Sequence, residues 1–180
     1  MRQSLTTEGF LLRKHNRSEA DRIYVIYTKD VGKVVCIAKG VRKTSSRKRG
    51  HLEVFNELKM SLNFVKDFYY ITEVQTVNNL APDKGGLNKI SLGYYFLEVV
   101  DKLTQENEPD KSLYDLLSNY LGQLRVSNKL KSLRIQFVKD VLVELGFLEN
   151  GQKVSSIDEF LNSIIERNIN SLRVGKRILS

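Results

Sequence analysis

IYVIYTKDVGKVVCIAK, residues 23–39, decides what kind of chain this is. Ile23, Val25 and Tyr27 alternate with Tyr24, Ile26 and Thr28, and Val34, Cys36 and Ala38 alternate with Val35, Ile37 and Lys39. A period of two sends successive side chains to opposite faces of a strand, so both runs read as strands, joined by a turn at Lys29–Asp30–Val31–Gly32. The same alternation is cleanest downstream, where Leu58, Met60, Leu62 and Phe64 are separated by Lys59, Ser61 and Asn63. With Glu8–Leu12 and Tyr69–Val77 the chain has about five short strands before residue 80 and no long helical period between them. That pattern predicts a small antiparallel barrel.

The pattern changes at Asn78–Gly86, NNLAPDKGG, a cluster of turn residues holding one of the two prolines. Beyond it Ile90, Tyr94, Leu97 and Val100 recur at helical spacing, as do Leu113, Leu117, Tyr120 and Leu124. A third stripe, Leu130, Leu133, Phe137, Val141 and Leu145, ends at Gly146, where a helix C-terminus favours glycine. A fourth, with Ile157, Leu161 and Ile164, starts at Ser155 or Ser156, with Glu159 placed for a capping box. The expected architecture is α+β, a five-stranded barrel over residues 1–81 and a helical domain over 82–180.

Charge is distributed unevenly over this plan. Residues 1–81 hold 15 Lys and Arg against 8 Asp and Glu, and residues 82–180 hold 14 against 13, so +7 of the net +8 lies in the barrel. Its densest part is KGVRKTSSRKRG, residues 39–50, with six Lys or Arg and no acid. Read as a flexible connection between strands, this loop suits backbone phosphates irrespective of base sequence. Lys39, Arg42, Lys43, Arg47, Lys48 and Arg49 are the candidate contacts, with His51 beside them. Tyr24, Tyr27, Phe64, Phe68, Tyr69 and Tyr70 could add base stacking, and Tyr69 is the preferred ring because Tyr70 should face the other way.

The inventory disfavours catalysis. The two histidines, His15 and His51, have no nucleophile motif near them, and HExxH, GxSxG and GxGxxG are absent. Asp83–Lys84–Gly85–Gly86 lacks the spacing of a phosphate-binding loop and reads as linker. Glu19 and Asp21 together would leave a metal ion under-coordinated, and a structural role at the start of a strand suits them better. The single cysteine, Cys36, excludes an internal disulfide and a cysteine-cluster metal site, and reads as a small buried hydrophobe. Apolar runs such as Val34–Ala38 and Phe10–Leu12 are too short for a membrane span or a signal peptide, so a soluble, cytoplasmic protein is expected, without cofactor or membrane partner.

Residues 6–62 resemble the N-terminal oligonucleotide-binding (OB) barrel of the bacterial recombination mediator family RecO, through SEADRI at 18–23, AKGVRK at 38–43 and RGHLEVF at 49–55. Residues 94–124 are similar to that family's first helix pair, LRIQFVKDVLVELGF at 133–147 to its helix ending in LGF or LGY, and INSLRVGKRIL at 169–179 to its C-terminal tail. The resemblance implies an OB-type barrel followed by helices. It implies binding of single- and double-stranded DNA, strand annealing, a RecR-type partner, and recombinase loading onto DNA coated by single-stranded DNA-binding protein. It further implies a helical domain that receives the acidic, hydrophobic C-terminal tail of that coating protein, for which Lys131, Arg134 and Lys139 are candidates. Family members usually carry a longer segment after the LGF helix, often with zinc-binding cysteines; here Leu148–Ser155 is a short link without cysteine, so no zinc is expected. Outside the resemblance, charge and stacking fit an RNA-binding barrel equally, and a basic loop also fits an adaptor gripping an acidic protein.

Overall fold

In the computed structural model, which describes residues 3–82 and 86–166, five strands close into a barrel in the order β1-β2-β3-β5-β4. They are β1 (Gln3–Asn16), β2 (Arg22–Thr28), β3 (Gly32–Ala38), β4 (Asn56–Val65) and β5 (Phe68–Asn79). Four neighbouring pairs are antiparallel, and the closing pair β3–β5 is parallel, with Cys36 opposite Tyr69 and Ile37 opposite Tyr70. The all-antiparallel expectation is corrected by simple counting: directions cannot alternate around a ring with an odd number of strands, so one pair must run parallel. β1 is much longer than Glu8–Leu12, pairing first with β4 and then with β2 across a register shift between Leu11 and Arg13. Its polar opening, QSLTTEG, shows no apolar alternation, which hid the extra length.

The turn between β2 and β3 forms where the sequence places it. The Thr28 hydroxyl accepts from Val31 N at 3.2 Å and donates to Gly32 O at 2.8 Å. Gly32 has φ +75°, and a Cβ there would lie 2.2 Å from Glu108 O, so conformation and space both demand glycine.

Three helices follow, α1 (Leu87–Leu103), α2 (Lys111–Val126) and α3 (Leu130–Glu144), and residues 157–166 are helical at the end of the described chain. Asp110 caps α2 by accepting from Leu113 N at 2.9 Å. Gly146, at φ +73°, ends α3 as its spacing suggested, and Ser156 Oγ accepts from Glu159 N at 3.3 Å. On α1 the expected stripe is half right: Leu97 and Val100 are buried, together with Leu92, Phe96, Val99 and Leu103, while Ile90 and Tyr94 are exposed. α1 is apolar around much of its circumference, so spacing alone leaves the buried face open. Contact selects it: Gly93 lies so close to Phe55 that a Cβ would come within 2.5 Å of the ring. Asp83–Gly85 and the tail motif at 169–179 lie outside the described residues.

Two apolar clusters result. The barrel interior holds Leu11, Tyr24, Ile26, Cys36, Leu58 and Leu62 among others; burial pushes the Cys36 thiol pKa well above its ordinary range. The other cluster is continuous from the outer barrel face at Phe10, Val25, Tyr27 and Phe55 into the helices, where Phe96 stacks on Phe137 at 4.0 Å. Polar ties cross the same junction. Lys33, 8% exposed, donates to the α1 C-terminal carbonyls of Asp101 (2.6 Å) and Thr104 (2.7 Å), where a cation suits the helix dipole. Tyr114 OH donates to Glu57 Oε1 at 2.8 Å.

Candidate nucleic-acid interface

The basic loop is anchored at both ends. Val41 and Leu52 are fully buried in the barrel core, and between them runs a succession of turns: Lys43 N to Gly40 O at 3.1 Å, Ser46 N to Lys43 O at 3.0 Å, Leu52 N to Lys48 O at 3.1 Å. The expectation of a flexible connection gives way to a shaped one, because two apolar side chains peg the segment to the barrel.

The two sequence motifs flanking this loop fold against each other. Asp21 Oδ1 accepts from Gly40 N at 2.8 Å, Arg42 N donates to Ala20 O at 3.0 Å, and Arg42 Nη1 donates to Ser18 O at 2.6 Å. The β1–β2 turn is thereby clasped to the basic loop. Asp21 serves this clasp, which is the structural role expected of it, while Glu19 is exposed. Among the described residues no group of three or more His, Cys, Asp or Glu side chains could hold a metal.

The candidate cations separate into two kinds. Lys43, Arg47 and Arg49 are exposed and their side chains have no hydrogen bond or ion pair with any described residue. Arg42 is tied to Ser18 O, and Lys48 Nζ donates to Ile71 O at 3.0 Å, so both also hold the loop in place. His51 belongs with the second kind: its Nδ1 accepts from Thr76 N at 3.2 Å and lies 3.0 Å from Thr76 Oγ1. Accepting a backbone N–H places the ring proton of neutral His51 on Nε2.

The aromatic residues divide likewise. Tyr24 and Tyr27 are buried. Tyr69 leans on the barrel core and on Phe64, with ring centroids 4.9 Å apart. Lys39 Nζ lies 5.1 Å from the Tyr70 ring, and Arg17 Cζ lies 5.9 Å from the Phe68 ring. Arg17 was absent from the sequence-based candidates because it stands outside the basic run and reaches this face only through the folded β1–β2 turn.

In the helices, Arg134 grips Asp158 with both nitrogens, at 2.5 and 3.0 Å, and its Cζ lies 5.9 Å from the Tyr95 ring. The hydrogen bonds between the two side chains, reinforced by their opposite charges, raise the arginine pKa and hold the Asp158 carboxyl below its usual range. Arg134 lines a groove of about 390 Å³ with Tyr95, Val99, Lys102, Leu161 and Ile165. Lys131 and Lys139 do not line it. Lys102 was not a sequence candidate: it lies on α1, and only packing of α1 against α3 and residues 157–166 brings it beside Arg134.

Comparison with known proteins points to one family. The model of the recombination protein O N-terminal region matches residues 1–80, and that of its C-terminal region matches residues 85–152. The chain is 31% identical over 122 residues to the DNA repair protein RecO of Roseiflexus sp., covering 68% of this chain and 42% of that protein. It is 32% identical over 141 residues to the DNA repair protein RecO of Dehalococcoides mccartyi strain BAV1, covering 78% and 56%. With the RecO of Pelotomaculum thermopropionicum it shares 29% over 140 residues, covering 78% and 54%. The chain thus spans about half the length of the curated relatives it matches. No described helix is long and apolar enough to cross a membrane.

Proposed function

The chain belongs to the recombination protein O family, and from that premise we propose that it is a non-enzymatic, DNA-binding mediator of recombinational repair. It binds single- and double-stranded DNA through its barrel, anneals complementary strands, and with a RecR-type partner helps load recombinase onto DNA coated by single-stranded DNA-binding protein. Residues 1–81 act as the DNA-binding domain and residues 82–180 as the helical, partner-binding domain. The observation that supports this most is the group of exposed loop cations, Lys43, Arg47 and Arg49, without carboxylate partners among the described residues. Cations not cancelled by the protein's own acids are available to phosphates, and releasing the condensed counterions drives binding without regard to sequence. Lys39, Arg42, Lys48 and His51 extend the same surface. Annealing follows from that chemistry, since a surface that neutralises phosphates lowers the repulsion between two strands.

The helical groove is the proposed seat for the C-terminal tail of single-stranded DNA-binding protein. Arg134 and Lys102 would supply charge-assisted donors for carboxylates by exchanging their internal partners Asp158 and Glu98, which also line the groove, and Val99, Leu161 and Ile165 supply apolar surface for a hydrophobic residue.

Annealing of complementary oligonucleotides, bare and coated with single-stranded DNA-binding protein, is the test. Acceleration of both reactions is expected; binding without acceleration would remove annealing from the reading. Competition between matched DNA and RNA strands separates a DNA-binding from an RNA-binding barrel.

A further inference from the structure

The outer surface of the barrel is used twice. Toward one end Val25 and Tyr27 of β2 are covered by the helices and join their core. Toward the other end the same face continues as Ile23, Ile37 and Tyr70, aligned across three strands by the pairs Ile23–Ile37 and Ile37–Tyr70; Ile37 is itself buried, and its neighbours Ile23 and Tyr70 are half-buried. Among the described residues this second half is not part of the core shared with the helices, and its rim carries Phe68, 45% exposed. Phe68 and Tyr70 are two residues apart on β5 and therefore face the same way, while Tyr69 and Ile71 turn to the barrel interior. The two-residue turn Lys66–Asp67, both at positive φ, sets Phe68 at the start of β5 opposite Val65.

Each outward ring has a cation beside it, Arg17 at Phe68 and Lys39 at Tyr70. Neither cation has a carboxylate partner among the described residues. Two rings on one rigid strand, flanked by uncompensated cations and continuous with the basic loop, suit one occupant: the unpaired bases of a single strand. Bases stack on the rings while Arg17, Lys39 and the loop hold the phosphates. In a duplex the base faces are already stacked on one another, so the rings add nothing there.

We propose that Phe68 and Tyr70 form a base-stacking platform, which gives the barrel a preference for single-stranded over duplex nucleic acid without base specificity. This rests on the nucleic-acid reading of the barrel. The test uses the full chain and three probes of equal length: oligothymidylate, an abasic deoxyribose-phosphate strand, and a duplex. The wild-type protein is expected to bind oligothymidylate about tenfold or more tightly than the abasic strand. A Phe68→Leu/Tyr70→Leu double variant should bind the two alike, with an unchanged salt slope. Equal wild-type affinity for both single strands, or a preference that survives the double variant, overturns the platform and leaves phosphate binding standing. No saturable binding of any probe overturns both. Should the double variant not fold, photo-crosslinking of 5-iodouracil-substituted strands to the wild-type chain decides: adducts at Phe68 or Tyr70 are expected, and adducts only at other residues overturn the proposal.

Discussion

The loop end of the barrel and the outer surface of the helices both carry many cations, but they use them differently. On the helical side Arg134 is gripped by Asp158, Lys102 pairs with Glu98, and Lys111 with Asp30 across the junction, while Lys131 and Lys139 are without such partners among the described residues. At the loop end Lys43, Arg47 and Arg49 have no such partners among the described residues. A charge already paired within the fold is of little use to a phosphate, because binding must first break the internal pair. The basic character of a surface therefore depends less on how many Lys and Arg it has than on how many acids lie within reach of them.

The strongest challenge to this contrast is to remove the loop charges. Alanine at Arg42, Lys43, Arg47, Lys48 and Arg49 should lower DNA affinity about a hundredfold or more at low salt, and flatten a logarithmic salt slope of roughly −3 to −5 toward −1. The structure sharpens the expectation: Lys43, Arg47 and Arg49 alone should give most of the loss with little change in stability, whereas Arg42→Ala and Lys48→Ala should also destabilise the loop they hold. A triple variant with an unaltered slope would place the interface elsewhere.

The junction between the two regions should respond in stability and not in DNA affinity. Tyr114→Phe strips the buried Glu57 of one donor, leaving Asn78 Nδ2 on its other oxygen, and should cost about 1–3 kcal/mol in denaturant unfolding. Burial first, and Glu57 second, raise the Tyr114 pKa above its ordinary 10. The stabilisation from the neutral phenol is therefore fully present below about pH 10 and is lost as pH rises above it. Wild type should lose stability in that alkaline range more steeply than Tyr114→Phe.

A smaller effect belongs to the helical groove. Arg134 and Asp158 are partly exposed, so Asp158→Asn should cost only about 0.5–1 kcal/mol near neutral pH. Because the Asp158 pKa is lowered, that difference should be present above about pH 4 and vanish as pH falls through the folded value. If the groove receives an acidic tail, Arg134→Glu should weaken a labelled peptide ending in acids and an aromatic, and Asp158→Asn should strengthen it by freeing the arginine. Absence of saturable wild-type binding at low salt would end that reading. Lys131→Ala and Lys139→Ala, outside the groove, should change the peptide affinity less than about twofold and stability by under about 0.5 kcal/mol.

Much of this was legible along the chain, for reasons that particular residues make clear. Val34 to Ala38 alternate because one strand face meets the barrel interior, and Leu113 to Leu124 repeat at helical spacing because one face of α2 meets the core. The run from Lys39 to Arg49 shows its charge without any folding. What escaped reading required a partner distant in sequence. Ile90 and Tyr94 look as apolar as Phe96, and packing of Gly93 on Phe55 and of Phe96 on Phe137 and Tyr120 turns α1 so that they stay exposed. Tyr69 and Tyr70 could be assigned to opposite faces, but which face was the interior depended on β5 closing against β3.

The sequence by itself determined the order of elements, the α+β plan and the surplus of positive charge, because strand and helix periods and net charge are properties of neighbours along the chain. Tertiary structure alone decided which cations are engaged within the fold, by neutral carbonyls at Arg42 and Lys48 and by a carboxylate at Arg134. Arg42 meets Ser18, Lys48 meets Ile71 and Arg134 meets Asp158 across separations of 24, 23 and 24 residues. Hydrogen bonds and ion pairs act over a few ångströms, so the charge left free for a ligand is settled only when the chain has brought those residues together.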